Sequence, residues 1–245
     1  MTQPTPTLPS FILLTDRLII VPTPLAINFP TYVQLYGALH ANTAFCEMAF
    51  GPHFPARTWT EDETRHIILT RDIGKCWKRR GLGDFAVALR TKADGSLAFP
   101  DSSSAARNLS GETSVSIIES TDSNHGSLTE ELQTLTWVGY AGVRDATTTS
   151  LPEREEGDEE LPPWEEMVEV RYGVSGDYWG KGIAGEAARA VMQWASGERG
   201  VRRFIAETEK TNVRSGRVLG KMGFRESGTG YWKEESEVEW ERVVR

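Results

Sequence analysis

The chain has 245 residues, 39% hydrophobic with eight tryptophans, enough apolar material for a substantial core, which excludes a wholly disordered chain. Its formal charge is −8, and the nine acidic residues against one basic residue, Arg154, between Glu153 and Glu169 carry that whole excess. The chain therefore lacks the basic patch that phosphate-backbone binding needs, which argues against nucleic acid as a partner.

The ten residues from Met1 to Ser10, rich in Pro and Thr, read as a flexible tail. They have neither the basic start nor the apolar run of an export signal, and no later segment approaches the ~18 apolar residues of a membrane span. A soluble cytoplasmic protein is expected. Leu14 to Pro22 is β-branched and reads as an opening strand. Apolar residues recur at three and four spacing from Leu25 to about Leu39, which predicts a helix. Thr60 to Arg80 predicts another, with a Thr60 cap, a capping-box Glu63 and a stop at Gly81. Cys46 and Cys76 lie far apart, with no CxxC pairing and no His at ligand spacing, so neither a disulfide framework nor a metal site is expected.

Asp84 to Arg90 and Thr136 to Arg144 alternate as strands do. Between them residues 91–133, heavy in Ser, Asp, Gly and Thr, read as an insertion with one β-like island at Ser114 to Ile118. Residues 146–164 read as a second, acidic insertion whose composition predicts a solvated, disordered loop that buries little. Its other reading is a field that attracts cationic acceptors. From Met167 the order is strand, turn, helix (Ala184–Ser196), strand, helix (Asn212 to about Met222) and a β-rich tail. One α/β domain over residues 11–245 with two insertions is expected.

The turn Tyr178-Trp-Gly-Lys-Gly-Ile-Ala-Gly185 lies between a strand and a helix. Glycines there let a ligand approach the backbone and leave the first-turn N–H groups free for an anion such as phosphate. Gly180, Gly182 and Gly185 also spell GxGxxG, and Glu207 ends the next strand, as a dinucleotide-dependent oxidoreductase would require. Five residues separate Val174 from Gly180, however, and some sixty follow Gly185, too few for a dinucleotide fold. A P-loop fails because three residues, not four, lie between Gly176 and Gly180, and Gly182 follows the lysine where Ser or Thr should stand.

Trp179-Gly-Lys-Gly-Ile-Ala184 resembles the coenzyme A motif of the GNAT N-acetyltransferases, Q/R-x-x-G-x-G/A, with tryptophan at its first position. Asn212-Val-Arg-Ser215, the run Arg217 to Phe224, and Thr15-Asp-Arg-Leu18 are similar to signatures of the branch that contains the ribosomal-protein-alanine N-acetyltransferases. The resemblance covers nearly the whole chain apart from the two insertions. It implies a mixed, largely antiparallel central sheet flanked by helices, with a bulged fourth strand that parts from the fifth.

The resemblance further implies acetyl-coenzyme A as co-substrate, its pyrophosphate on the turn from Gly180 through Lys181, Gly182 and Ile183 to Ala184, beside Trp179. Its pantetheine would complete the ladder on Tyr172 to Ser175, Val174 included. Asn212 is a cofactor contact or a helix cap, and Ser215 a contact. The implied reaction is direct attack of a primary amine on the thioester in a ternary complex. Glu207 matches the general base of some family members, with Glu169 on the fourth strand as second candidate. The tyrosine that protonates the thiolate in those enzymes is replaced by Leu219, which leaves Ser215 or solvent. A protein N-terminus, a polyamine and a small-molecule amine all stay open as acceptor, as do monomer and homodimer. A coenzyme A binding sensor or scaffold without turnover is the alternative.

Overall fold

A computed structural model describes residues 7–51, 54–99 and 106–244, so Met1 to Pro6 of the expected tail and residues 100–105 of the first insertion lie outside it. In chain order the elements are β1 (Phe11–Leu14), β2 (Leu18–Pro22), α1 (Thr23–Ala26), α2 (Pro30–Ala41), α3 (Thr43–Phe50) and α4 (Glu61–Ile67), which runs through a π-helical stretch (Ile68–Trp77) into α5 (Lys78–Arg80). Next come β3 (Asp84–Leu89), β4 (Ala106–Asn108), β5 (Ser116–Glu119), α6 (His125–Gln133), β6 (Trp137–Asp145), α7 (Ala146–Thr149), β7 (Val168–Val174), α8 (Ile183–Arg199), β8 (Arg203–Glu209), α9 (Val213–Lys221), β9 (Arg225–Glu226) and β10 (Glu237–Val243).

The ten strands among the described residues form one sheet in the order β4-β5-β1-β2-β3-β6-β7-β8-β10-β9, antiparallel everywhere except between β7 and β8. The largely antiparallel α/β class is as the sequence implied. Helix α8 buries Ile183, Ala187, Val191, Trp194 and Ala195 against one face, where Trp194 meets the Phe85 ring at 5.1 Å. On the other face, α2 lays Tyr32 and Tyr36 against β6, with Tyr36 5.9 Å from Tyr140. Among the described residues no helix is long and apolar enough to cross a membrane.

Several local expectations change. Leu14 to Pro22 is not one strand: Thr15 closes a turn, its N–H donating to the Leu18 carbonyl and its hydroxyl accepting from the Leu18 N–H, both at 3.0 Å, so β1 and β2 make a hairpin. The helix expected over Leu25 to Leu39 breaks before Pro30, because proline has no N–H to continue a helix but suits its first turn. The capping box of Thr60 and Glu63 forms, and beyond Ile67 the helix widens into π geometry that aligns Asp72 with β3.

The acidic insertion is packed. Leu151 and Leu161 rest on a small apolar cluster of Ala146, Met167, Ile205, Tyr231 and Trp232, while Lys233 Nζ lies 2.8 Å from Asp158. Leucines on either side of the acidic run anchor it as a strap, which charge composition alone does not reveal.

Candidate active site

Strands β7 and β8 pair at only two positions, Val168 with Phe204 and Glu169 with Ile205, and then part. No register shift accompanies the parting, since β6 pairs with β7 without interruption from Asp145–Val168 to Gly139–Val174. The bulge expected in this strand is not seen there; the register shift falls between β3 and β6, where Val87 pairs with Gly139 and Ala88 with Trp137, which leaves Val138 of β6 as the extra residue. A cavity of about 540 Å³ fills the wedge. It runs from Gly180, Gly182, Ile183 and Ala184 at one end to Glu169 and Glu207 at the other, with Val174, Trp179, Asn212 and Ser215 along its walls.

Backbone direction decides which groups of β7 the wedge receives. The Ser175 N–H donates to the Val138 carbonyl, and hydrogen-bonding direction alternates along a strand, so Ser175 and Gly173 are committed to β6. Val170, Tyr172 and Val174 turn the other way, into the wedge. The Val174 carbonyl accepts the Trp179 indole N–H at 2.7 Å, which ties the tryptophan to the strand. Of the Tyr172–Ser175 backbone assigned to pantetheine, the amide groups of Tyr172 and the Val174 N–H are therefore the ones that face a ligand.

The turn fits a pyrophosphate. Gly180 and Gly182 have φ of +75° and +78°, which L side chains rarely adopt, and a Cβ on Gly180 would meet no atom within 4 Å. Gly182 caps α8 without a side-chain hydrogen bond, so the N–H groups of Ile183, Ala184 and Gly185 emerge at the positive end of a 17-residue helix. Lys181 directs its ammonium over the Tyr178 ring, 4.9 Å away, and its carbonyl accepts from Arg17 Nη1 at 3.0 Å. The Thr15-Asp-Arg17 turn thus has a structural task. Thr15 Oγ1 donates to Glu186 Oε1 at 2.6 Å and Arg17 Nη2 stands 2.5 Å from Glu186 Oε2, which latches the β1–β2 hairpin onto the first turn of α8.

Asn212 is the cap of α9: its Oδ1 accepts from the Ser215 N–H at 3.0 Å, and its Nδ2 donates to the Met48 carbonyl at 2.6 Å. Both side-chain polar atoms are occupied by the protein itself. The Ser215 hydroxyl lies 3.2 Å from the Tyr172 hydroxyl. Burial pushes the Tyr172 phenol up to about 12, so it holds its proton at neutral pH. Leu219 is buried against the core. The tyrosine hydroxyl that does face the wedge beside Ser215 is that of Tyr172 on β7.

At the far end Glu207 projects from β8 into the wedge. Burial, then the carboxyls of Glu169 and Glu237, push its pKa well above the ordinary glutamate value. Glu237 on β10 is raised to about 7, first by burial and next by Glu209. Buried Glu169 accepts a 2.5 Å hydrogen bond from Ser150 Oγ of the strap. Strand parity puts Glu169 and Arg171 of β7, Tyr140 and Arg144 of β6, and Glu207 of β8 on one face. Arg144 Nη2 is 2.6 Å from Asp84 Oδ2, and Asp84 N donates to Asp72, whose carboxyl burial and then Asp84 raise to about 7. Above this floor sit aromatic rings: the His40 ring stacks on Tyr36 at 4.5 Å and on Phe50 at 5.8 Å, and burial lowers its pKa.

Sequence reasoning missed Tyr140, Arg144, Arg171 and the Tyr172 side chain. Period-two alternation from Glu169 would have found Arg171, and the remainder depend on which strands become neighbours.

The parted sheet, the glycine turn at a helix N-terminus and a cavity joining both faces together define the acyl-coenzyme A N-acyltransferase fold class. Residues 136–225 match the acetyltransferase (GNAT) domain family. The uncharacterized N-acetyltransferase YnaD of Bacillus subtilis is 34% identical over 64 residues, 26% of this chain and 38% of the relative, so the match spans well under half of that protein. An acetyltransferase of the GNAT family from Bacillus anthracis has the same fold with a TM-score of 0.52 at 16% identity, over 95% of this chain and 98% of its own. RimL, a ribosomal L7/L12 α-N-protein acetyltransferase solved with coenzyme A, gives 0.53 at 14% identity, over 94% and 96%.

Proposed function

We propose that the protein is an N-acetyltransferase that moves the acetyl group of acetyl-coenzyme A to a primary amine by direct attack within a ternary complex. The observation that carries this reading is the single cavity that runs from the free amides at Gly182–Gly185 to the Glu207 carboxyl. A thioester donor and an amine acceptor can enter such a cavity from opposite faces of the sheet. The family match of residues 136–225 and the fold shared with RimL support it.

Bound acetyl-coenzyme A supplies the activated thioester carbonyl. The residues that would hold it are Gly180, Lys181, Gly182, Ile183 and Ala184 at the pyrophosphate, with Trp179 beside them, and Tyr172, Val174 and Ser215 along the pantetheine. Glu207 takes the proton of the incoming ammonium, because it is the carboxyl that lines the acceptor end of the cavity and burial raises its affinity for a proton. Glu169, already engaged by Ser150, shapes the field around Glu207 and is the second candidate base. Tyr172, hydrogen-bonded to Ser215, holds a proton within the wedge and is the group suited to protonate the departing thiolate. No resident metal is invoked, and the reaction is placed in the cytoplasm.

Thiol release from acetyl-coenzyme A is the test, with a panel of a protein N-terminal peptide, polyamines, amino acids and aminoglycosides as acceptors. Release with none of them, alongside micromolar binding of acetyl-coenzyme A by calorimetry, would leave the non-catalytic binding reading in its place.

A further inference from the structure

The acceptor end of the wedge has a carboxyl wall and a guanidinium wall. On the β8 side stand Glu207 and, behind it, Glu237, whose Oε2 is buried without a hydrogen-bond partner. On the β7 side stands Arg171, and its guanidinium is poorly satisfied. Nη2 reaches the Tyr140 hydroxyl at 3.5 Å, Nη1 lies 3.8 Å from Asp84 Oδ2, and Cζ sits 5.3 Å from the centre of the Tyr140 ring.

A guanidinium carries five N–H donors, and hydrogen bonds to carboxylates run near 2.8 Å. The nearest carboxylate, Asp84, is shared: its Oδ2 lies 2.6 Å from Arg144 and only 3.8 Å from Arg171, outside hydrogen-bond range of the latter. Arg171 therefore turns donors without protein partners toward the cavity it lines. Burial opposes that charge, and the nearby Asp84, Tyr140, Tyr36 and Glu169 keep it protonated. A planar fork held this way suits the two oxygens of a carboxylate.

Resting on the acetyl-transfer reading, we propose that the acceptor is a small zwitterion, an α-amino acid with a free carboxylate: its ammonium faces Glu207 and its carboxylate faces Arg171. Both side chains line the one cavity, and Arg171 is near enough to act on the Glu207 carboxyl, which suits a ligand that carries its ammonium and carboxylate close together. The rings of Phe45, Phe50 and Tyr140 line the same end and give an apolar or aromatic side chain a place to rest. A polyamine has nothing to offer Arg171, and a peptide N-terminus brings a neutral amide where the carboxylate would stand. In the reaction one ammonium proton passes to Glu207, the neutral nitrogen bonds the acetyl carbon, the carbon–sulfur bond breaks, the second nitrogen proton leaves to solvent as the amide forms, and the thiolate takes a proton from Tyr172, which solvent reprotonates, or from solvent directly.

The test is calorimetry of the coenzyme A-loaded protein with phenylalanine, methionine and alanine, each against its carboxamide. Hydrogen bonds to a charged partner are worth enough for about 10–100-fold. The free acid of the best-fitting side chain should bind more tightly than its amide by that factor, and Arg171→Gln should bring the ratio close to one while Arg171→Lys keeps part of it. Equal affinity for acid and amide in the unaltered protein, or no binding of any amino acid at millimolar concentration, overturns the proposal. So does a ratio that survives in folded Arg171→Gln. If Arg171→Gln does not fold, the acid–amide comparison in the unaltered protein decides alone. Absence of thiol release with every amine would sink acetyl transfer without touching this preference, so the two failures are distinguishable.

Discussion

Replacing Glu207 by glutamine should move activity and stability in opposite directions. The carboxyl is surrounded by groups that disfavour its ionisation: first the burying walls of the wedge, then the carboxyls of Glu169 and Glu237. Its folded-state pKa is raised, so the native protein holds this proton more tightly than the unfolded chain does. Stability from this group is fully present below the unfolded value of about 4.3 and is lost as pH rises toward and through the raised one, at about 1.4 kcal/mol per pKa unit. Glutamine keeps the shape and removes the charge. Thermal unfolding should show Glu207→Gln more stable than the parent at pH 8 and no more stable at pH 4.5. Turnover, measured by thiol release, should fall ~10²–10⁴-fold at neutral pH, and the deficit should shrink at high pH where the acceptor amine is already neutral. Full activity across pH would refute the base assignment and pass it to Glu169. Lower stability at pH 8 would refute the reading of Glu207 as an unpaired carboxyl.

Gly182→Val puts a β-branched residue at φ +78°, at a cost of about 1–2 kcal/mol, and fills the mouth of the turn; the folded variant should show no acetyl-coenzyme A binding by calorimetry, and an unchanged affinity would make the turn purely structural. Tyr172→Phe removes the hydroxyl beside Ser215 and should lower turnover ~10²-fold with cofactor affinity retained; undiminished turnover would assign the proton to solvent. Deleting Pro152 to Glu160 should leave cofactor affinity intact yet lower the melting temperature by a few degrees, since half-buried Leu151 and Leu161 lose their seat at roughly 1–2 kcal/mol together; an unchanged midpoint would return the segment to a solvated loop.

The features legible in the sequence were local ones. Trp179 to Ala184 announces a glycine turn before a helix, Thr60 and Glu63 announce a cap, and strand alternation marks β3 and β6, because each depends on residues a few positions apart. Illegible features needed long-range placement. The strap is held by Leu151 and Leu161 pressing on Tyr231 and Trp232 some eighty residues later, so a reading of its charges alone expects disorder. Likewise Arg171 reads as an ordinary strand residue until β6 delivers Tyr140 and Arg144 beside it, and no pattern within Leu14 to Pro22 shows that three polar residues there will turn the chain.

The latch of Thr15 and Arg17 on Glu186 joins residues 171 and 169 apart in sequence. Closing so long a loop adds little to the equilibrium cost, which grows only with the logarithm of length, but contacts of high sequence separation form slowly. The hairpin that steadies the anion-binding turn precedes α8 in the chain and can latch only once that helix has formed. Arg17 reaches the Lys181 carbonyl only when the hairpin is docked, so the turn depends on that contact for its pose. Recovery of acetyl-coenzyme A binding during refolding should accordingly lag behind the return of helical circular dichroism.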